Sequence, residues 1–322
     1  MSIFRKKKTL ERRKWSAFQG FLLFGLIIYA LCLFLPLIWA VITAFKTQAE
    51  FRVNLFQLPK KWTWNFGKVY SEFYIKVNTA AGAKYVGVTQ MLINSLLYSF
   101  GCAFVGTLVP YVTAYLCARY KYKMSGIIYT VVIVVMALPI VGNLPSEIRL
   151  ATSLGIYDQI WGLWLMKAHF LGMYFLVFYN MFSALPAAYT EAARFDGAGN
   201  WMVMVKIIMP MAKNTFLTVL LINFITYWND YQTPLIYMPS HPTIALGMYH
   251  MAFTSINELA TIPMRMTSAV FMLVPTLALF MCFHKRLLGN LTMGGIKGKR
   301  RKRRECIKKE NFGCFALRLS CA

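Results

Sequence analysis

Long runs of apolar residues restrict the fold of this chain more than any other feature of its sequence. A helix needs about 20 apolar residues to cross the ~30 Å hydrocarbon core of a bilayer. Apolar residues make up 58% of the 322 residues. Six segments approach or exceed the required length, namely 18–44, 91–117, 126–141, 160–182, 215–237 and 266–283. We therefore predict an all-α polytopic membrane protein with six transmembrane helices.

The end of the third apolar segment carries two helix breakers, Pro139 and Pro145, on either side of Gly142. Proline lacks a backbone N–H and clashes with the preceding helical turn, so we expect the helix to break or kink here. Within a bilayer, such a break is tolerated only where protein or a water-filled cavity satisfies the freed backbone groups. The pattern therefore indicates a segment that lines the wall of a pathway.

The formal net charge of +24 comes mainly from basic residues at the two ends of the chain. The connection 238–263 holds no Lys or Arg, whereas the neighbouring short connections are basic. Basic residues favour the cytoplasmic side, so we predict that both termini are cytoplasmic. The long loop 46–90 holds seven basic residues but carries little weight, because long loops cross membranes largely regardless of charge. We divide the chain into a basic N-terminus (1–14), a transmembrane domain (15–298) and a basic tail (299–322).

Aromatic residues are frequent in the loop 46–90, where Trp62, Trp64 and Tyr70 occur close together. Trp and Tyr are enriched at the interface between lipid and water, so we favour an interfacial belt for them. A small folded outer subdomain is the alternative.

The segment 189–201, between the fourth and fifth apolar segments, predicts a short helix on the membrane surface. Thr190 is a residue type that caps helices, and Glu191 places a carboxylate in the first turn, where the helix dipole favours it. Two alanines follow and leave a smooth side that another protein can approach closely. Gly197 then allows the backbone to turn.

A second amphipathic stretch follows this turn. Trp201, Met204, Ile207 and Ile208 precede Pro210 and lead directly into the fifth apolar segment. A helix that lies across the membrane surface and joins a span in this way can act as a lever.

The same segment resembles the EAA loop, a signature of the permease subunits of binding-protein-dependent ABC importers. In that signature, Glu-Ala-Ala is followed by a Gly four residues after the second Ala, and later by Ile-x-Leu-Pro. The matching residues, within a loop at about 186–213, are Glu191, Ala192, Ala193, Gly197, Ile207 and Pro210. Asp196, Gly197 and Ala198 form the Asp-Gly-Ala version common among carbohydrate members. Met204 and Met209 stand where Phe and Leu are usual, and both remain apolar.

Further stretches are similar to the maltose-type carbohydrate branch, and to its second permease in particular. They are 224–230 with 234–235, the glycine-rich 289–298, and 94–95 at the start of the second apolar segment. The resemblance covers about 18–298 and implies the type I ABC importer permease fold with a cytoplasmic coupling helix.

The resemblance also implies a function and a set of partners. The chain would form half of the translocation pathway for a sugar or oligosaccharide that an extracytoplasmic binding protein delivers. A homologous second permease and two ABC ATPase subunits would complete the importer in the lipid of a bacterial cytoplasmic membrane. The loop would dock in a cleft of the ATPase, and closure of the ATPases would swing the spans between inward and outward openings.

The chain itself is predicted to be neither an enzyme nor a metalloprotein. It contains no GxxxxGK[ST] phosphate loop, so ATP and Mg are expected on the separate ATPase subunit. Its seven cysteines include no CxxC pair, which indicates neither a metal site nor a disulfide framework. We expect no bound cofactor on this chain.

Two ionisable residues lie inside predicted spans, where charge is costly and therefore indicates function. Lys167 and Asp230 fall at similar depths in the fourth and fifth segments, so we hypothesise that they form an ion pair. The alternative is that Lys167 extends towards the membrane surface and that Asp230 packs against the partner permease.

Aromatic and hydrogen-bonding residues near Asp230 suit a sugar, because a sugar has apolar ring faces and a rim of hydroxyls. We predict a substrate pathway at Tyr227, Trp228, Asn229 and Asp230, with interface packing as the alternative. His169 is interpreted as a histidine at a helix interface.

Three other functions remain open from the sequence. In the first, the chain is a permease that transports a polyamine, phosphate or peptide. An ion-coupled secondary carrier is the second, but it would need several intramembrane acids and paired broken helices in two related halves. The basic tail raises nucleic-acid binding as the third, although no nucleic-acid partner is expected.

Overall fold

The computed structural model describes residues 17–79, 82–120, 122–138, 142–253 and 261–291. The predicted N-terminal segment 1–14 and the tail 299–322 lie outside the described residues. The elements, in chain order, are α1 (Ala17–Ala44), α2 (Gln48–Val53), α3 (Asn65–Glu72), β1 (Tyr74–Thr79), β2 (Gly82–Gly87), α4 (Val88–Arg119), α5 (Lys123–Ala137), α6 (Leu144–Ser153), α7 (Ile160–Met166), α8 (Met173–Ser183), α9 (Ala188–Phe195), α10 (Asn200–Met202), the π-helical segment Val203–Ile208, α11 (Met209–Met211), α12 (Lys213–Trp228), α13 (Gln232–Tyr237), α14 (Ile244–Phe253) and α15 (Ile262–Leu291).

Three of the described helices are long and apolar enough to cross a membrane, namely α1, α4 and α15. Each contains one predicted span, so the first, second and sixth segments are confirmed as continuous helices. The third segment forms the 15-residue helix α5, which ends at Ala137, just before the predicted break. Pro139 itself lies outside the described residues.

The fourth and fifth segments are not continuous helices, and the sequence does not predict a break in either. The fourth is divided into α7 and α8, which flank the residues 167–172. The fifth is divided into α12 and α13, which flank 229–231. Counting the bent pair Asn200–Met211 and Lys213–Trp228 as one span gives up to four described spans. The count of six remains a prediction.

The helix α4 lies at the centre of the described fold and packs against α12, α8 and α7. In its C-terminal half, the ring of Tyr111 lies 4.9 Å from the rings of both Phe178 and Phe216. Tyr115 lies 5.5 Å from Phe182. Each aromatic pair of this kind adds about 0.5–1.5 kcal/mol beyond simple burial. The cluster therefore fixes α8 and α12 against α4.

The loop between α1 and α4 folds into a small outer subdomain of α2, α3 and an antiparallel hairpin in which Tyr74 pairs with Gly87. The sequence favours an interfacial belt, and this small outer subdomain is the alternative to it. Lys46 is fully buried and donates hydrogen bonds to the carbonyl oxygens of Asn54 and Leu55, at 2.9 and 3.1 Å. An ammonium group can donate three hydrogen bonds, and backbone carbonyl oxygens accept two of those from Lys46.

Side chains of the predicted belt lie on the surface of that subdomain. Trp62 and Trp64 are 66% and 71% exposed, and their rings lie 5.4 and 6.2 Å from the ring of Phe45. The buried backbone contacts thus fix the loop, while its aromatic side chains remain accessible.

Candidate functional site

The predicted surface helix is α9, which begins after Pro186 and has Glu191 in its first turn. Its N-cap is Ala187, so the prediction that Thr190 caps the helix is wrong. The helix starts earlier because the alanines at positions 187 and 188 are strong helix formers. The backbone N–H groups of Thr190 and Glu191 both donate to the carbonyl oxygen of Ala187, at 2.8 and 3.1 Å.

Gly197 ends α9 in a Schellman motif. The N–H of Ala198 donates to the carbonyl of Ala193 at 2.9 Å, and the N–H of Gly197 donates to that of Arg194 at 3.0 Å. Gly197 has a φ of +80°, in the left-handed region that favours glycine. The predicted turn at Gly197 is therefore present, and Asp196 is the exposed residue just before it.

The two sides of α9 differ in exposure. Ala193 is 6% exposed and packs into the cluster around Tyr111. Ala192 and Glu191 are exposed on the other side. Large apolar side chains border this exposed side, and they are Tyr189 at 47%, Phe195 at 92% and Trp201 at 75% exposed. The sequence suggests that Trp201 belongs to the buried face of the second amphipathic stretch. In the structure, Trp201 does not lie on that face.

The stretch after the turn is a continuous but irregular helix. Met204 and Ile208 are buried, and Ile207 is half-buried. Pro210 has no N–H to donate within the helix, and a π-helical segment precedes it. The helix then bends by 71° into α12.

A cavity of about 310 Å³ lies between α4, α12 and the break that separates α7 from α8. The residues that line it are Gly106, Pro110, Lys167, His169, Phe170, Leu171, Gly172, Met173, Tyr174, Phe175, Asn223 and Tyr227. Non-helical backbone at membrane depth requires such a cavity or a protein environment. The break therefore places two polar residues of the fourth segment, Lys167 and His169, in the wall of a cavity.

The predicted ion pair between Lys167 and Asp230 is not formed. No carboxylate oxygen among the described residues lies within 4.0 Å of the Lys167 ammonium. The Lys167 Nζ instead lies 5.9 Å from the ring centroid of Tyr227. The Asp230 carboxylate accepts hydrogen bonds from the Tyr98 hydroxyl at 2.9 Å and from two backbone N–H groups at the start of α13, at 3.0 and 3.1 Å. Asp230 caps a helix, which removes its need for a cationic partner.

The four residues of the predicted substrate pathway point to different surroundings, because neighbours on a helix differ by about 100° in direction. Only Tyr227 lines the cavity. Trp228 is 3% exposed, and its indole N–H donates to the carbonyl of Met272 at 3.3 Å. Asn229 is exposed and bonds to its own helix. His169, predicted at a helix interface, is an exposed residue at the cavity.

Several cavity residues were missed by the sequence reasoning. The Asn223 amide donates to the Thr107 hydroxyl at 2.9 Å, and both residues are buried. A Cβ on Gly106 would lie 3.6 Å from the Lys167 carbonyl oxygen and 3.7 Å from the Tyr227 hydroxyl. An amide inside an apolar segment was the available signal for Asn223, since polar groups in spans are costly.

The family of this chain follows from comparison with known proteins. The family model described as "Binding-protein-dependent transport system inner membrane component" matches residues 106–289, which is more than half of the chain. The chain therefore belongs to this family of membrane permeases. Its matched region contains both α9 with its glycine turn and the cavity at the break.

Individual relatives and a solved structure agree with this assignment. The chain is 24% identical to the diacetylchitobiose uptake system permease protein NgcG of Streptomyces coelicolor, over 84% of this chain and 86% of that protein. It is 24% identical to the arabinooligosaccharides transport system permease protein AraQ of Bacillus subtilis, over 64% and 72%. A chain of a bacterial ABC transporter that imports the acidic polysaccharide alginate superposes with a TM-score of 0.67 at 19% identity, covering 84% of this chain and 98% of that one. The fold is that of a type I ABC importer permease.

Proposed function

We propose that this chain is the permease subunit of an ABC importer and forms half of the pathway for a sugar or oligosaccharide. The single observation that carries this proposal is that the surface helix and the cavity wall are joined directly along the chain. The exposed helix α9 leads through a bent helix into α12, and α12 supplies Asn223 and Tyr227 to the cavity wall. The sugars named for the two curated relatives, and the Asp-Gly-Ala form of the loop, support a carbohydrate cargo.

The exposed side of α9 would be the docking surface for a separate ABC ATPase. Ala192 keeps the helix backbone accessible, and Tyr189, Phe195 and Trp201 supply apolar area around it. Exposed aromatic residues of this size typically anchor protein interfaces. ATP and Mg would bind to that ATPase, and this chain would contribute no catalytic residue.

The cavity would be the part of the pathway that this chain provides. Its volume of about 310 Å³ is at the lower end of the range for small-molecule sites. Tyr227 and Tyr174 combine ring faces with hydroxyl groups, as sugar contacts require. Because the Asp230 carboxylate caps α13, it is occupied as an acceptor, which disfavours an ion-coupled carrier.

The remaining components would be a homologous second permease, two ATPase subunits and an extracytoplasmic binding protein. Basic residues at both ends of the chain support cytoplasmic termini in a bacterial cytoplasmic membrane. The basic tail 299–322 would add attraction to anionic lipid.

Phe195→Asp tests the docking surface with little risk to folding, since Phe195 is 92% exposed. We expect loss of co-purification with the ATPase and of hydrolysis stimulated by the sugar-loaded binding protein. The matched control is Phe253→Asp on α14, because Phe253 is 79% exposed outside this surface. Retained co-purification of the Phe195→Asp protein, or equal loss in both variants, would contradict the assignment of α9 as the coupling helix.

A further inference from the structure

The charges around the cavity point to a narrower class of cargo. We propose that the saccharide carries a carboxylate, as a uronic acid unit does, and that the ammonium of Lys167 binds it. This inference rests on the proposed sugar pathway and adds a charge to its cargo. It draws on three observations: the charge of the lining, the position of the Lys167 side chain, and the helix that begins at the same wall.

The lining of the cavity includes basic side chains and no acidic one. Lys167 and His169 are both in the wall, whereas the lining contains neither Asp nor Glu. Asp230, the acid that the sequence analysis paired with Lys167, accepts three hydrogen bonds from other groups. The described residues thus leave a positive charge at the cavity without a carboxylate within 4.0 Å.

The Tyr227 ring compensates only part of the energetic penalty of placing a charge there. A lysine ammonium is costly to place inside a membrane-spanning segment. A cation at 5.9 Å from a ring centroid is at the outer limit of a cation–π contact, so its contribution is small. Lys167 is half-buried over this ring, so an anion in the cavity would stabilise its charge further.

The start of α8 adds a favourable field for an anion. Gly172, Met173 and Tyr174 at this start all line the cavity, and Gly172 offers no capping side chain. A helix N-terminus carries roughly half a positive charge. The C-terminus of α7 contributes the opposite partial charge at Lys167, but the full charge of the ammonium exceeds it.

A carboxylate fits this wall better than a phosphate. Lys167 is the single permanently charged side chain of the lining, so the wall pairs with one carboxylate group. Phosphate groups carry more charge and are usually bound by several cations or by Arg pairs. The tyrosines at positions 174 and 227 are available for the neutral hydroxyls and ring faces of the same saccharide.

The experiment compares tri-galacturonate with the galactose trisaccharide of the same linkage, which has neutral hydroxymethyl groups in place of the carboxylates at C6. Uptake of each is measured in proteoliposomes that contain the complete importer with its binding protein. We expect Lys167→Met to lower uptake of tri-galacturonate by about 10- to 100-fold, as expected for the loss of one hydrogen bond between charged groups. Uptake of the neutral trisaccharide by the same variant should change much less.

Two further variants make the result specific. Lys167→Arg keeps the charge and should retain most of the uptake of tri-galacturonate. Lys123→Met removes an exposed basic residue at the start of α5, away from the cavity, and should leave both activities unchanged.

Two results would overturn the inference, and they differ in what they say of the proposed function. Efficient uptake of the neutral trisaccharide with equal effects of Lys167→Met on both substrates would refute the carboxylate contact and leave the sugar importer standing. Assembly of the importer without uptake of either trisaccharide would argue against the carbohydrate cargo as well.

Discussion

Gly197 provides the most direct test of the loop that we propose as the coupler. Its φ of +80° costs a residue with a Cβ about 1–2 kcal/mol, and glycine adopts it freely. A Cβ at this position would meet no atom within 4 Å, so steric clash adds nothing to the penalty. Gly197→Ala should therefore reduce the population of the intact turn by about 5- to 30-fold relative to alternative conformations.

Three companion variants separate backbone strain from other effects. Gly197→Asn should be milder, because Asn tolerates the left-handed region. Gly197→Asp should be more harmful than Asn, since it adds a carboxylate next to Asp196 at the C-terminus of α9, where the helix dipole disfavours it. The control is Gly199→Ala, because Gly199 has an ordinary φ of −67° and open space around its Cβ position.

Two measurements report on these variants. Hydrogen exchange of the Gly197 and Ala198 amides measures the turn directly, because both amides donate within the Schellman motif. Hydrolysis by the assembled importer, stimulated by sugar-loaded binding protein, measures coupling. We expect both signals to be highest for Gly199→Ala, lower for Gly197→Asn, and lower again for Gly197→Ala and Gly197→Asp. Equal behaviour of the two alanine variants would refute the role assigned to the backbone of Gly197.

Two predictions concern stability, measured by thermal unfolding of the detergent-solubilised protein. Asp230→Ala removes the cap of α13 and should destabilise by about 0.5–2 kcal/mol, whereas Asp230→Asn should retain most of the stability; similar losses in both would indicate that the charge, and not the cap, is needed. Gly101→Ala should destabilise by about 1–3 kcal/mol, because its Cβ would lie 2.1 Å from the Trp164 ring. The helical Gly126→Ala, with no atom within 4 Å of its Cβ position, should be neutral or slightly stabilising, and an unaffected Gly101→Ala protein would contradict the close packing of α4 and α7.

Composition and spacing predict those parts of the fold whose physical cause is local. The helices α1, α4 and α15 are apolar over their whole length, so hydropathy alone finds them. The turn at Gly197 can also be predicted from the sequence, because the left-handed position after a helix favours glycine whatever surrounds it. Both features depend on residues close together in the chain.

Long-range contacts cannot be predicted from the sequence in this way. Lys167 and Asp230 have similar predicted depths, yet Asp230 finds its donors within three residues of itself and at Tyr98, far away in the sequence. The hydrogen bond between Asn223 and Thr107 joins residues 116 positions apart, and the contact between the Lys167 ammonium and the Tyr227 ring joins the break in the fourth segment to α12. Depth along a helix fixes a height in the membrane but not the direction of a side chain around the helix axis.

The bend before α12 explains how a small displacement at the surface would reach the cavity. The Tyr111 hydroxyl donates to the carbonyl of Met209 at 2.7 Å, which links α4 to the segment just before the bend. From that point α12 runs for 16 residues, or about 24 Å, with Asn223 and Tyr227 in its second half. A tilt of about 10° at the bend would move the far end of such a helix by about 4 Å. Because the Lys167 ammonium lies over the Tyr227 ring at 5.9 Å, a movement of that size would separate the ring from the ammonium and change the shape of the cavity that both residues line.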